Sequence, residues 1–185
     1  RPIVEGRGTD VGAFVAAGLR LAQKGVCAIT TTCGFLVRHQ IALAAALPVP
    51  ILTSTLTQYA RLTRQLQPGK RMAIMTIASK SLDSAVLASA GIESSALVFG
   101  LPPDAHFVRA ILDGAPELDV HVASREWVAL ALASRSKHPE IGGWLFECAN
   151  MPPYSRAVAV ATRLPVYDAL TLGVELHAQH SRVKT

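Results

Sequence analysis

Val26-Cys27-Ala28-Ile29-Thr30-Thr31-Thr32-Cys33-Gly34-Phe35 is a run of small and β-branched residues that stops at a cysteine, with a glycine after it to break the extended pattern. A later run, Ile141-Gly142-Gly143-Trp144-Leu145-Phe146-Glu147-Cys148-Ala149-Asn150, is built the same way. In each, an apolar strand runs straight into a cysteine. Each cysteine is then followed by a helical pattern and a Leu-Pro-Val step, Leu47-Pro48-Val49 in the first case and Leu164-Pro165-Val166 in the second, that leads to another strand. The repetition predicts two related halves.

Outward from these runs, short β-rich segments alternate with longer helical ones, the pattern of parallel strands joined by helical crossovers. Strands are expected over 26–32, 49–54, 71–76, 96–99, 142–147 and 165–167. Helices are expected over 9–24, 34–46, 55–66, 80–90, 104–112, 119–136, 154–162 and 168–180, the first capped by Thr9 or Asp10 and closed by Gly25. The predicted fold is α/β, with two pseudo-symmetric, flavodoxin-like lobes, each a parallel sheet flanked by helices. The division places 1–67 and 164–185 in the first lobe and 68–163 in the second.

A chain of 185 residues with 50% hydrophobic and 17% charged content has the balance of a globular protein. The apolar stretch 41–52 is interrupted by Pro48 and Pro50 and falls short of the ~20 residues that span a bilayer, so no membrane association is expected. The opening Arg-Pro-Ile-Val-Glu-Gly lacks the apolar core of a secretory signal, and the expected location is the cytoplasm. Cysteines 27, 33 and 148 are odd in number and have no metal-type spacing, which predicts free thiols and no metal site. His177 and His180 lie three apart on the last helix with no third ligand in view. The net charge of +5 is scattered and aromatics are 5%, so no nucleic-acid surface is expected; a mild positive field suits a small anion.

A reactive residue at a strand end sits at the carboxyl edge of a sheet, where open α/β folds bind ligands. The unpaired N–H groups of the following helix favour a thiolate or a substrate carboxylate there, so the thiol pKa values are expected to fall. Most free cysteines are buried apolar residues, the reading given to Cys27, placed mid-strand. Cys33 differs because Gly34 admits close approach and, with Phe35, offers amides. Cys148 differs because Glu147 and Asn150 are polar where a core strand is apolar. Two such sulfurs on either side of a carbon acid would let one take a proton as the other donates one.

The segments Thr30-Thr31-Thr32-Cys33-Gly34-Phe35 and Phe146-Glu147-Cys148-Ala149-Asn150-Met151-Pro152-Pro153-Tyr154 strongly resemble the paired cysteine motifs of the aspartate/glutamate racemase superfamily, in its hydantoin-racemase-like branch. The resemblance covers nearly the whole chain. It implies a cofactor-independent enzyme, a dimer or larger homo-oligomer, with Cys33 and Cys148 as acid/base pair. It also implies that Gly34, Phe35, Thr76, Ala149 and Asn150, with Ser54 and Ser79 as further candidates, hold a small carboxylate- or amide-bearing substrate such as an amino acid or hydantoin. Thr76 and Asn150 are equally candidate helix caps, and the Met-Pro-Pro-Tyr segment suits a helix start.

The leading expectation is a racemase or epimerase. The alternatives are a maleate-type cis-trans isomerase with a nucleophilic cysteine and a noncatalytic ligand-binding member. Arylmalonate-type decarboxylases resemble the family but keep only the later cysteine. Amino-acid racemases of the family follow their cysteines with Asn-Thr and Thr-His, unlike Gly34-Phe35 and Ala149-Asn150, which leaves the substrate open. Family members usually begin with a strand and an active-site loop before the region matched by Arg1, so a shortened N-terminus is expected.

Overall fold

Five consecutive residues of the run Arg71–Thr76, from Met72 onward, are buried on both faces, which is the signature of a central parallel strand. The computed structural model, which describes residues 10–180, places this strand, β3, between β4 (Leu97–Gly100) and β5 (Ile141–Phe146). A further strand, β6 (Val166–Tyr167), adds to β5, giving the all-parallel order β4-β3-β5-β6. A second parallel sheet pairs β1 (Ile29–Thr30) with β2 (Ile51–Leu52). The architecture is α/β, with parallel sheets flanked by helices. β6, just past the expected lobe boundary at 164, hydrogen-bonds to the second-half sheet, while the helix after it turns back to the first half, where Arg61 pairs with Glu175.

Eight helices surround these strands among the described residues: α1 (Val11–Gln23), α2 (Gln40–Ala46), α3 (Tyr59–Arg64), α4 (Ser84–Ser89), α5 (His106–Leu112), α6 (Val120–Lys137), α7 (Pro152–Thr162) and α8 (Ala169–His180). Side-chain alternation along β3 and β5 separates two cores. Ala73, Met75, Trp144 and Phe146 face α5, α6 and α7, where Phe107 packs edge-on against Trp127 and Tyr154. Met72, Ile74 and Leu145 face α4 and segments of the first half, among them Phe35, Val37, Leu56 and Leu62. No helix among the described residues is long and apolar enough to cross a membrane.

Local signals explain most boundaries. The Asp10 side chain caps α1 through Gly12 N at 2.9 Å, and Gly25, at φ 78°, supplies the left-handed turn after it. Thr9, the other cap candidate, lies outside the described residues. Asp119 caps α6 through His121 N and Val122 N.

Three expectations need correction. Residues 34–46 and 55–66 are not continuous helices: Gly34–His39 and Thr55–Gln58 wind as 3₁₀ turns before α2 and α3, because both starts are packed into the interior, where a tighter winding fits. The strands at 26–32 and 49–54 shrink to two residues each: Pro48 and Pro50 have no N–H to give a ladder before β2, and after it the Gln40 and Thr31 side chains take the N–H and the carbonyl of Thr53. Cys27 consequently lies half-buried in the bend before β1 and not mid-strand.

Candidate functional site

Each cysteine follows the end of a parallel strand: Cys33 comes after β1 and directly before the 3₁₀ turn Gly34–His39, and Cys148 comes after β5, in the turn that leads to α7. Thr31 Oγ1 fixes the first by donating to Thr53 O at 2.7 Å and accepting from Cys33 N at 3.4 Å. Glu147 N, donating to Met75 O at 2.9 Å, extends the β5 pairing to the residue before the second. Thr55 Oγ1 donates to Phe146 O at 2.8 Å, tying the turn after β2 to the end of β5. These bonds bring the two strand ends together around a cavity of about 100 Å³.

Thr32, Cys33, Gly34 and Phe35 form one side of this cavity, and Glu147, Cys148 and Asn150 another. Ile77, after β3, and Ile111 and Leu112, at the end of α5, add an apolar wall. The volume is below the roughly 300 Å³ at which pockets for drug-sized ligands begin, so it suits a molecule of few heavy atoms.

The electrostatics run against the expected fall in thiol pKa. Burial raises the Cys33 thiol above its ordinary value; N–H groups of Phe35 and Leu36 draw it back, and the Glu147 carboxylate pushes it up. Cys148, 9% exposed, is pushed up to about 12 by burial first, then by Glu147, against hydrogen bonds from the Asn150 backbone and side chain. Asn150 Nδ2 lies 3.8 Å from Cys148 Sγ. Helix-start amides act as expected at Cys33, while at Cys148 the donors come from Asn150 in the turn before α7; desolvation and a neighbouring carboxylate outweigh both sets. Glu147 itself is 2% exposed, accepts a hydrogen bond from Thr76 Oγ1 at 2.8 Å, and is pushed up to about 7 by burial.

No protein-family model matches the chain. Among solved structures, an aspartate racemase homologue from Pyrococcus horikoshii OT3 superposes with a TM-score of 0.62 at 16% identity, over 92% of this chain and 74% of that one. Arylmalonate decarboxylase gives 0.61 at 16%, over 95% and 77%. Glutamate racemase from Thermus thermophilus gives 0.58 at 18%, over 100% and 65%. The chain has the fold of the aspartate/glutamate racemase superfamily.

Curated proteins similar to this racemase-fold chain carry a different kind of name. It is 31% identical over 168 residues to dimethylsulfoniopropionate lyase 7 of Emiliania huxleyi, covering 85% of this chain and 49% of that protein. It is 30% identical over 153 residues to the dimethylsulfoniopropionate lyase of Durusdinium sp. clade D, covering 80% and 50%. The chain therefore spans about half the length of these curated relatives.

Of the expected site residues on the racemase fold, Cys33, Gly34, Phe35, Cys148 and Asn150 line the shared cavity. Thr76 stands one bond behind it, through Glu147. Ala149, half-buried between Cys148 and Asn150, is not among the lining residues. Ser54 caps the turn Thr55–Gln58 through Leu56 N, and Ser79 packs beside Gly100; neither lines the cavity. Sequence reasoning noted Glu147 only as a polar flank of Cys148. Its place in the wall was signalled by a carboxylate at a strand end followed at once by a cysteine. Ile77, Ile111 and Leu112 carried no local signal, because tertiary packing alone brings them there.

Proposed function

We propose that the chain is an enzyme, without a cofactor, in which Cys33 and Cys148 handle the proton on the carbon next to a substrate carboxylate, and that it acts as a lyase on a small carboxylate bearing a sulfonium leaving group. The observation that carries this reading is that both cysteines line one small cavity beneath two strand ends. The lyase names of proteins about 30% identical to it favour elimination over inversion.

Racemisation and elimination share their first step. A thiolate takes the proton next to the carboxylate, and the C–H electron pair moves to carbon. In a racemase the opposite thiol returns a proton to the other face. Where the adjoining carbon carries a sulfonium, the electron pair instead forms a C=C bond as the C–S bond breaks, releasing a neutral sulfide and an unsaturated carboxylate. Cys33 is the readier base of the two at neutral pH, since it is only half-buried where Cys148 is buried, and desolvation opposes its thiolate less. Cys148, pushed up to about 12, keeps its proton at neutral pH; it suits the proton donor of a racemase, while in elimination, where the neutral sulfide needs no proton, it suits a hydrogen-bond donor to the substrate carboxylate.

The test is incubation of the chain with dimethylsulfoniopropionate in deuterated buffer, followed by proton NMR. The proposal expects alkene signals and dimethyl sulfide to grow together. Exchange at the carbon next to the carboxylate with no sulfide released would point to the racemase or isomerase chemistry expected from the motifs. Neither signal, with a folded chain, would end the reading for this substrate.

A further inference from the structure

Glu147 is buried to 2% exposure yet forms part of the wall of the Cys33–Cys148 cavity. Its Oε2 is held by Thr76, while its Oε1 lies against Gly34. None of the ion pairs among the described residues includes it. A carboxylate taken out of water costs several kcal/mol unless a cation joins it.

The other polar groups at the cavity are of opposite kind. The N–H groups of Phe35 and Leu36 and the amide of Asn150 are donors at the two sulfurs, suited to an anion. Glu147 is the acceptor. The cavity thus has a place for negative charge and, separately, a buried anion lacking a partner of positive charge.

We propose that Glu147 recognises a positively charged onium group on the substrate, a sulfonium or a quaternary ammonium, while the carbon next to the substrate's carboxylate faces the two sulfurs. This rests on the reading of the cavity as the substrate site and names the class of substrate it takes. A second consequence follows from charge alone. Glu147 raises the pKa of both thiols, so a cation placed against it offsets that push and favours the thiolate. A substrate with the positive charge prepares its own base, and one without it meets two protonated sulfurs.

Two carboxylates of matched shape separate charge from fit: 3-(trimethylammonio)propionate, and 4,4-dimethylpentanoate, in which carbon replaces the charged nitrogen. Calorimetric titration of the full chain at about pH 8.5 is expected to show the cationic ligand binding about tenfold or more tighter. Glu147→Gln should bring the two affinities to within about twofold. Dimethylsulfoniopropionate and its neutral isostere 4-methylpentanoate, run on the same proteins, report whether sulfonium and ammonium are recognised alike.

Where Glu147→Gln fails to fold, pH provides the second arm on the unaltered chain. The titratable groups facing Glu147 are the Cys33 and Cys148 thiols, both raised and therefore neutral below pH 8; β3 contributes only the uncharged Thr76 hydroxyl. Glu147, at about 7, loses its charge as pH falls, so the preference should shrink by about tenfold between about pH 8.5 and 5.5. An equal preference in the Gln variant, a preference unchanged with pH, or binding of neither ligand would overturn the proposal. Charge discrimination without turnover would leave it standing and end the lyase reading. Turnover without charge discrimination would do the reverse.

Discussion

The space a Cβ on residue 34 would occupy is already held by Glu147: that carbon would lie 2.6 Å from the Glu147 backbone oxygen and closer still to Oε1. Gly34 is therefore required by a protein carboxylate as well as by any ligand. Gly34→Ala is expected to lower stability by about 2 kcal/mol, read as a fall in the urea midpoint, because the added carbon meets the backbone of the strand end as well as the side chain of Glu147. Glu147 also writes itself into the pH dependence of stability. Its folded pKa of about 7 lies above the ordinary 4.5, so between those values the unfolded chain gives up a proton that the folded chain keeps. Its contribution is complete below about pH 4.5 and lost as pH rises through about 7, a decline of about 3 kcal/mol across that window. Urea unfolding at several pH values should show the decline, and Glu147→Gln should remove it; an equal decline in the variant would mean that other groups carry it.

Among the elements, α5 depends most on a neighbour. Seven residues are too few for a helix to persist alone, and its first two N–H groups, from His106 and Phe107, are held by the Glu126 carboxylate of α6 at 2.7 and 3.0 Å. Its other end supplies Ile111 and Leu112 to the cavity wall. Glu126→Ala should cost about 2 kcal/mol by denaturation and raise KM more than it lowers kcat, since it loosens the wall and leaves the sulfurs in place. If kcat falls and KM holds, α5 serves the chemistry and not the binding. The extent of β3 and the cap of α1 at Asp10 were legible because each rests on residues within its own segment. The shortness of β1 and β2 was not, because ladder length depends on a partner strand, here one punctuated by Pro48 and Pro50. The role of α5 was hidden for the same reason: nothing in Ile111-Leu112 says which cavity they meet.

At the scale of the whole molecule, two parallel sheets present their strand ends to each other, and bonds such as Thr55 Oγ1 to Phe146 O join the halves near the cavity. The convergence of Cys33 and Cys148 was legible because the two runs share one pattern and one topology carries both to a carboxyl edge. The direction of their pKa shifts was not, because burial and the approach of Glu147 to both sulfurs exist only once the halves are joined. Relatives of about twice this length bear lyase names, whereas solved structures that share the fold include an aspartate racemase homologue, a glutamate racemase and an arylmalonate decarboxylase. In the reading proposed for this chain, the two sulfurs that share its cavity handle one proton next to a carboxylate. The measurement that bears on it most directly is solvent-deuterium exchange at the carbon next to the carboxylate of dimethylsulfoniopropionate, alongside sulfide release, for the chain and for Cys33→Ser and Cys148→Ser. The account predicts a loss of about 100-fold or more in proton removal for Cys33→Ser and a measurable loss for Cys148→Ser. Exchange and release at the parent rate in both variants would contradict it.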